Sequence, residues 1–200
     1  MQNNITTIFI DLFGVLLGID QSVVIQYLSK LTDTSYLDTR EIAMGEHFMR
    51  LERCEINFIQ YVEEIRALLP NGKRIDAGAL QNMWMNSKVG EMPAVSLLDQ
   101  LLTNYHVWII SNTTDSHIKN LISKFTFFSL INGIITSERA GTHKPDPKIF
   151  QFAMLKANTD STSAVFIDDN QTNTKSAESL GITSHYYTSF DGLMDFLKKI

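Results

Sequence analysis

The chain has 200 residues, 44% hydrophobic and 20% charged, with a formal net charge of −5. That composition suits one domain, or one domain with an insertion, and excludes a disordered chain. No basic block accompanies the acidic balance, so a nucleic-acid surface is not expected.

Thr6 to Ile10 reads as the first strand, ending in the turn Asp11-Leu12-Phe13-Gly14. A mainly helical stretch follows over residues 16–90. Ile25, Leu28 and Leu31 mark one helix there, and Phe58, Val62, Ile65 and Leu69 recur at helical spacing before Pro70-Asn71-Gly72 stops the run. Ala79 to Trp84 suggests another helix, and no strong strand signal interrupts the region. From Pro93 the pattern alternates: a helix carrying Val95, Leu98, Leu101 and Leu102, a strand from His106 to Ile110, and a helix carrying Ile118, Leu121 and Ile122. A strand from Gly133 to Thr136 precedes a helix with Asp146 as N-cap and Pro147 at its first position. A strand from Ala164 to Ile167, a helix ending at Gly181 and a strand from Ile182 to Tyr187 come next. A last helix, capped by Ser189, turns Leu193, Phe196, Leu197 and Ile200 inward.

Strands alternating with helices predict an α/β fold, a doubly wound parallel sheet of Rossmann-like form. Residues 1–15 and 91–200 then make the core domain, and residues 16–90 an inserted α-helical cap over the carboxyl edge of the sheet. A lid so placed excludes water and shapes substrate choice. Ile8 to Ile19 is apolar enough to resemble a signal-peptide core, but it contains Asp11 and lacks a positive flank, so that reading is rejected. No apolar stretch reaches about 18 residues, so no membrane span is expected. A single cysteine, Cys54, excludes an internal disulfide and fits a reducing, cytoplasmic location.

The chemistry concentrates where apolar runs end. Ile8-Phe9-Ile10 delivers Asp11, and Ala164-Val165-Phe166-Ile167 delivers Asp168 and Asp169. Such runs read as buried parallel strands that place acids at the rim where open α/β sheets build sites. Carboxylates gathered there repel one another and need a cation or a proton to coexist. Ser111-Asn112 follows Val107-Trp108-Ile109-Ile110, and Lys144 lies in Gly141-Thr142-His143-Lys144-Pro145. Together these suit phosphoryl transfer. In such a site Asp11 would attack phosphorus, Ser111 and the backbone around it would bind phosphoryl oxygens, and Lys144 would neutralise charge. Asp168 and Asp169 would hold Mg2+ together with Asp11 and a backbone carbonyl near Phe13.

Each residue also has a plainer reading. An acid after a strand is commonly a cap or turn residue, Ser111 or Asn112 could cap the next helix, and most lysines are solvated. His106, His117 and His143 read as surface or loop positions, and Cys54 as a helix-connection residue. Met83, Trp84 and Met85 either line a cap pocket or simply pack in its core.

Taken in order, the four motifs resemble the haloacid dehalogenase-like hydrolase superfamily, in the subfamily IA type with an α-helical C1 cap. Ser111-Asn112-Thr113, Lys144-Pro145 and Phe166-Ile167-Asp168-Asp169-Asn170, followed by Ser176-Ala177-Glu178-Ser179-Leu180-Gly181-Ile182, are similar to the branch holding bacterial sugar-phosphate phosphatases such as α-D-glucose-1-phosphate phosphatase. The resemblance implies a Mg2+-dependent phosphatase acting on a small phosphorylated metabolite. It further implies a nucleophilic Asp11, phosphate contacts from Ser111, Asn112 and Lys144, and metal on Asp11, Asp168 and Asp169. A monomer or homodimer is expected.

One position departs from the pattern. Most phosphatases of the family carry a second aspartate two residues after the nucleophile, as acid/base, and here that residue is Phe13. A positioned acid/base contributes about 10²–10⁴-fold. Its loss implies a slow enzyme, a substrate with a good leaving group, or an acid from elsewhere, for which His143 is a candidate. Dehalogenases of the superfamily also carry an aromatic residue there, so a dehalogenase using Asp11 on carbon is the catalytic alternative. A phosphate-binding protein that has lost turnover is a third reading.

Overall fold

The computed structural model describes residues 5–52, 55–85 and 87–200. Cys54 and the Met85 side chain lie outside them. The chain divides into two compact units, Met1–Gly18 with Gly90–Ile200, and Ile19–Val89.

Strand β1 (Thr7–Ile10) is buried at all four positions, as expected of a strand covered on both faces. A short strand β2 (Leu17–Ile19) follows. The second unit then holds α1 (Ser22–Thr32), α2 (Tyr36–Met44), α3 (Glu46–Glu52), α4 (Phe58–Leu68) and α5 (Ala77–Met85). Its core gathers Val24, Leu28, Ala43, Tyr61, Val62, Ile65 and Leu80, with Met83 and Trp84 packed against it. The buried Tyr61 hydroxyl donates to the Ala43 carbonyl at 2.7 Å. Helix α4 begins with a reciprocal capping box between Asn57 and Gln60.

Strand β3 (Val89–Glu91) pairs with β2 in a two-stranded sheet. The sequence reading missed this pair, because three-residue strands are too short to show alternation. Helix α2 was missed for a related reason: it buries only Thr39 and Ala43, so it carries no apolar stripe.

The remainder of the first unit runs α6 (Leu98–Asn104), β4 (His106–Ser111), α7 (Asp115–Ile122), β5 (Gly133–Thr136), α8 (Ser137–Ala140), α9 (Pro147–Ala157), β6 (Ala164–Asp168), α10 (Gln171–Ser179), β7 (Thr183–Tyr186) and α11 (Phe190–Leu197). The five-stranded sheet has the order β5-β4-β1-β6-β7, parallel throughout, which is the expected α/β Rossmann-like arrangement. Asp146 caps α9 and Ser189 caps α11, as the sequence indicates. Ile122, by contrast, is 50% exposed rather than inward. One core cluster packs Phe9, Ile110, Ile135, Phe166 and Ile182 from the sheet side against Ile149, Phe150 and Ala177 of α9 and α10. Phe150 meets Phe166 edge to face at 5.0 Å.

The register decides where the chemistry falls. Ile10 pairs with Ile109 on one side and Ile167 on the other, so the carboxyl ends of β1, β4 and β6 lie side by side. The sheet grows from β1 through β4 to β5, then from β1 through β6 to β7 on the opposite flank. Strand order thus reverses at β1, the place where open α/β sheets form their crevice.

Candidate active site

Asp11 follows β1 and is buried to 8% exposure. Its backbone N–H donates to the Ile167 carbonyl at 2.8 Å, tying the turn to β6. Its Oδ1 accepts from the Leu12 N–H at 2.7 Å and pairs with Lys144 Nζ at 2.7 Å. Both contacts fall on one oxygen, which leaves Oδ2 for chemistry.

Lys144 is 2% exposed, and its Nζ also reaches Asp168 Oδ2 at 2.7 Å. The ammonium therefore bridges two carboxylates that arrive on neighbouring strands. Its methylene stem runs through the core, with Nζ 5.6 Å from the centre of the Phe166 ring. The loop carrying Lys144 is held from two sides. Asn112 Nδ2 donates to the Lys144 carbonyl at 2.9 Å, and the Lys144 N–H donates to Asn112 Oδ1 at 2.8 Å. Ser176 Oγ donates to the Pro145 carbonyl at 2.5 Å. The Asn112 side chain is thus committed to placing Lys144, and any phosphate contact from Asn112 falls to its backbone. Ser111 is buried at the end of β4. Neither residue caps the following helix; Thr114 does, its side chain accepting from the His117 N–H.

Asp168 and Asp169 differ sharply. Asp168 is fully buried, and its oxygens accept from the Asn170 N–H at 2.7 Å and from Asn173 Nδ2 at 3.0 Å, besides pairing with Lys144. Asp169 is exposed and receives no side-chain hydrogen bond among the described residues. Its carboxylate lies against Gly14. A Cβ on Gly14 would stand 2.0 Å from Asp169 Oδ2, and Gly14 holds φ at +90°. Only glycine fits both the conformation and the approach.

One oxygen from each of Asp11, Asp168 and Asp169 can be chosen so that the three lie within 4.8 Å of one another. Burial drives the Asp11 carboxyl well above its ordinary range; Lys144 pulls it back, and Asp168 and Asp169 push it further up. Asp169 is raised too, first by burial and then by Asp168. Burial alone would lower Lys144, but Asp11 and Asp168 outweigh it and hold the ammonium charged. Three carboxylates thus face one lysine. An all-oxygen donor set with uncompensated negative charge fits a hard divalent cation such as Mg2+. Asp11 and Asp169 are the carboxylates that would hold it, while Asp168 is engaged by Lys144, the Asn170 N–H and the Asn173 side chain.

His117 is the residue the sequence reading misplaced. It is half-buried rather than on the surface, and its ring stacks on Phe13 with centroids 5.3 Å apart and planes 20° apart. Its Nδ1 lies 3.0 Å from Thr113 Oγ1. Burial, and secondarily Lys124, lower its pKa. The i, i+4 step from Thr113 to His117 was visible, but nothing in one sequence places that ring on Phe13. His143 turns its Nδ1 to the Lys144 carbonyl at 3.0 Å. A carbonyl only accepts, so this nitrogen carries the proton.

The fold recurs in solved structures. The HAD family enzyme bt-2542 from Bacteroides thetaiotaomicron, in complex with magnesium and inorganic phosphate, superposes with a TM-score of 0.66 at 26% identity, over 94% of this chain and 98% of that one. A dehalogenase superposes with a TM-score of 0.66 at 17% identity, over 92% of this chain and 85% of that one, a likeness of fold alone. Drimenol cyclase drtB from Aspergillus calidoustus is 31% identical over 94 residues, 47% of this chain and 18% of its own length. The chain spans about a fifth to a quarter of the length of the curated relatives it matches. The family model for haloacid dehalogenase-like hydrolases matches residues 82–186, just over half of the chain. With Asp11, Lys144 and the Asp168-Asp169 pair converging at the rim of its parallel sheet, the chain belongs to the haloacid dehalogenase-like hydrolases.

Proposed function

We propose that this hydrolase is a Mg2+-dependent phosphatase that cleaves a small phosphate monoester, sugar phosphates included, through an aspartyl-phosphate on Asp11. The observation that carries the reading is the convergence of three carboxylates within 4.8 Å beside a single buried lysine. Such a cluster suits a cation and a phosphoryl group together. The subfamily, the C1-type cap and the likeness to sugar-phosphate phosphatases belong to the same proposal.

Asp11 Oδ2, without a partner among the described residues, would attack phosphorus while Lys144 holds Oδ1. Ser111 and the backbone beyond β4 would take phosphoryl oxygens, with Lys144 adding positive charge. Bound Mg2+ would supply neutralisation of the phosphoryl charge and of the carboxylates. The complex of bt-2542 with magnesium and inorganic phosphate supports the same reading at 26% identity.

The second reading, a dehalogenase using Asp11 on carbon, is favoured by one observation, the aromatic Phe13 at the acid's position. Asp169 weighs against it, because a free acid beside the nucleophile repels a haloacid carboxylate. Phosphate release from an aryl phosphate and a panel of sugar phosphates, with Mg2+ and with EDTA, separates the two. Turnover that needs Mg2+ and disappears in Asp11→Asn is expected. Halide release from a 2-haloacid without metal, and no phosphate release, would overturn the phosphatase reading. Binding of Mg2+ and phosphate without turnover would instead mark a protein that has kept the site and lost catalysis.

A further inference from the structure

Where most phosphatases of this family place an acid, this chain places one ring of an aromatic pair. Phe13 comes two residues after Asp11 and just before Gly14, against which Asp169 packs. His117 stacks on it at 5.3 Å and is anchored to Thr113, two residues beyond Ser111. The pair therefore joins the loop leaving β1 to the loop leaving β4, strands that are direct neighbours in the sheet. Both rings are half-buried, so each keeps a face or edge open to solvent.

We infer that the Phe13–His117 pair is a specificity-determining wall, which selects phosphate esters of phenols and similar flat, acidic alcohols. The inference rests on the phosphatase reading above and names the substrate class of that site. Two arguments converge on it. The first is the leaving group. As the bond from Asp11 Oδ2 to phosphorus forms, the ester P–O bond breaks and its electron pair stays on the leaving oxygen. Phe13 has no proton to give, so that oxygen departs as an anion and takes its proton from water afterwards. A phenolate, whose acid has a pKa of about 10, leaves far more readily than an oxygen as basic as hydroxide, whose acid has a pKa of about 15.7. The second is contact. A flat leaving group finds two aligned rings beside the nucleophile, and aromatic pairs add attraction beyond the area they bury.

The test uses non-hydrolysable probes, so it does not depend on turnover. Binding of phenylphosphonate and methylphosphonate is measured by calorimetry with Mg2+ present. The wild-type protein is expected to prefer the phenyl probe by several-fold to about tenfold. His117→Ala is expected to shrink that ratio and His117→Phe, which keeps a ring, to retain it. If His117→Ala does not fold, Phe13→Leu provides the same comparison. Equal affinity for the two probes, or a ratio unchanged when a ring is removed, overturns the aromatic wall and leaves the phosphatase reading standing. Failure of the wild-type protein to bind either phosphonate overturns both.

Discussion

Lys144 Nζ stands 2.7 Å from Asp11 Oδ1, with the lysine 2% exposed, so the Asp11 carboxylate is held by a cation that is itself sealed from water. The same nitrogen is 2.7 Å from Asp168 Oδ2. Removing one partner from such a buried network strands the others, at a cost of about 3–5 kcal/mol. Lys144→Met is therefore expected to lower unfolding stability by about that amount in urea denaturation, and to abolish turnover. Stability within 1 kcal/mol of wild type, on the scale of an exposed pair, would mean the bridge contributes no more than a surface contact.

The carboxylate cluster also sets a pH dependence. Asp11 and Asp169 have folded pKa values above the ordinary 3.8. Their folded forms hold protons that the unfolded chain has already released. Without metal, stability should then fall as pH rises from about 4 through the folded values. A divalent cation favours the ionised forms and reverses the trend. At a concentration of 100 times its dissociation constant, Mg2+ should add about 2.7 kcal/mol. For a chain of this size that raises the melting temperature by roughly 5–10 °C. Thermal melts at pH 5 and pH 7.5, with Mg2+ and with EDTA, check this, and a larger Mg2+ effect at pH 5 would contradict it.

Gly14 offers a finer probe of the proposed metal site. Gly14→Ala places a methyl group 2.0 Å from Asp169 Oδ2 at a backbone φ of +90°. The strained backbone alone costs about 1–3 kcal/mol. Displacement of Asp169 should also weaken Mg2+ binding at least tenfold in calorimetry. Asp169→Asn should weaken it comparably while leaving the metal-free protein no less stable, because it removes a carboxylate that the neighbouring Asp168 repels. A metal affinity unchanged in both variants would show that Asp169 is not a ligand.

Phe13→Asp restores the acid that most family phosphatases carry. A rate gain of about tenfold or more is expected on poor leaving groups, against the 10²–10⁴-fold that a positioned acid/base typically contributes. Aryl phosphates should gain little. No gain on either class would indicate that the proton already comes from another group, and an equal gain on both would show that the new carboxyl does not act by protonating the leaving oxygen.

Much of the core unit was legible because its strands are uniform apolar runs and its caps are explicit. Ile8-Phe9-Ile10, Ala164-Val165-Phe166-Ile167, Asp146-Pro147 and Ser189 each state a local preference that the packed sheet retains. The parallel, doubly wound sheet follows from alternation, whereas the strand order that brings Asp11, Lys144 and Asp168 together is seen only in the folded chain. The division of labour within the site was not legible. Whether an amide such as Asn112 contacts substrate or clamps a loop depends on a partner 32 residues away in the chain. His117 reads as a surface position in the sequence, and only the folded chain stacks its ring on Phe13, 104 positions earlier. Helix α2 and the β2-β3 pair lacked both length and periodicity, the two signals on which such reading depends.

The contrast between Asp168 and Asp169 has a consequence for how this site can change. Successive residues leaving a strand point to opposite sides, so one dipeptide supplies both an inward acid for Lys144 and an outward acid beside Gly14. The two functions are written as a single phase along β6. An insertion or deletion of one residue between Ala164 and Asp169 would exchange them, turning the outward carboxylate into the core and leaving Lys144 to face the wrong neighbour. Substitutions can tune this carboxylate edge, but changes in length within β6 would erase it.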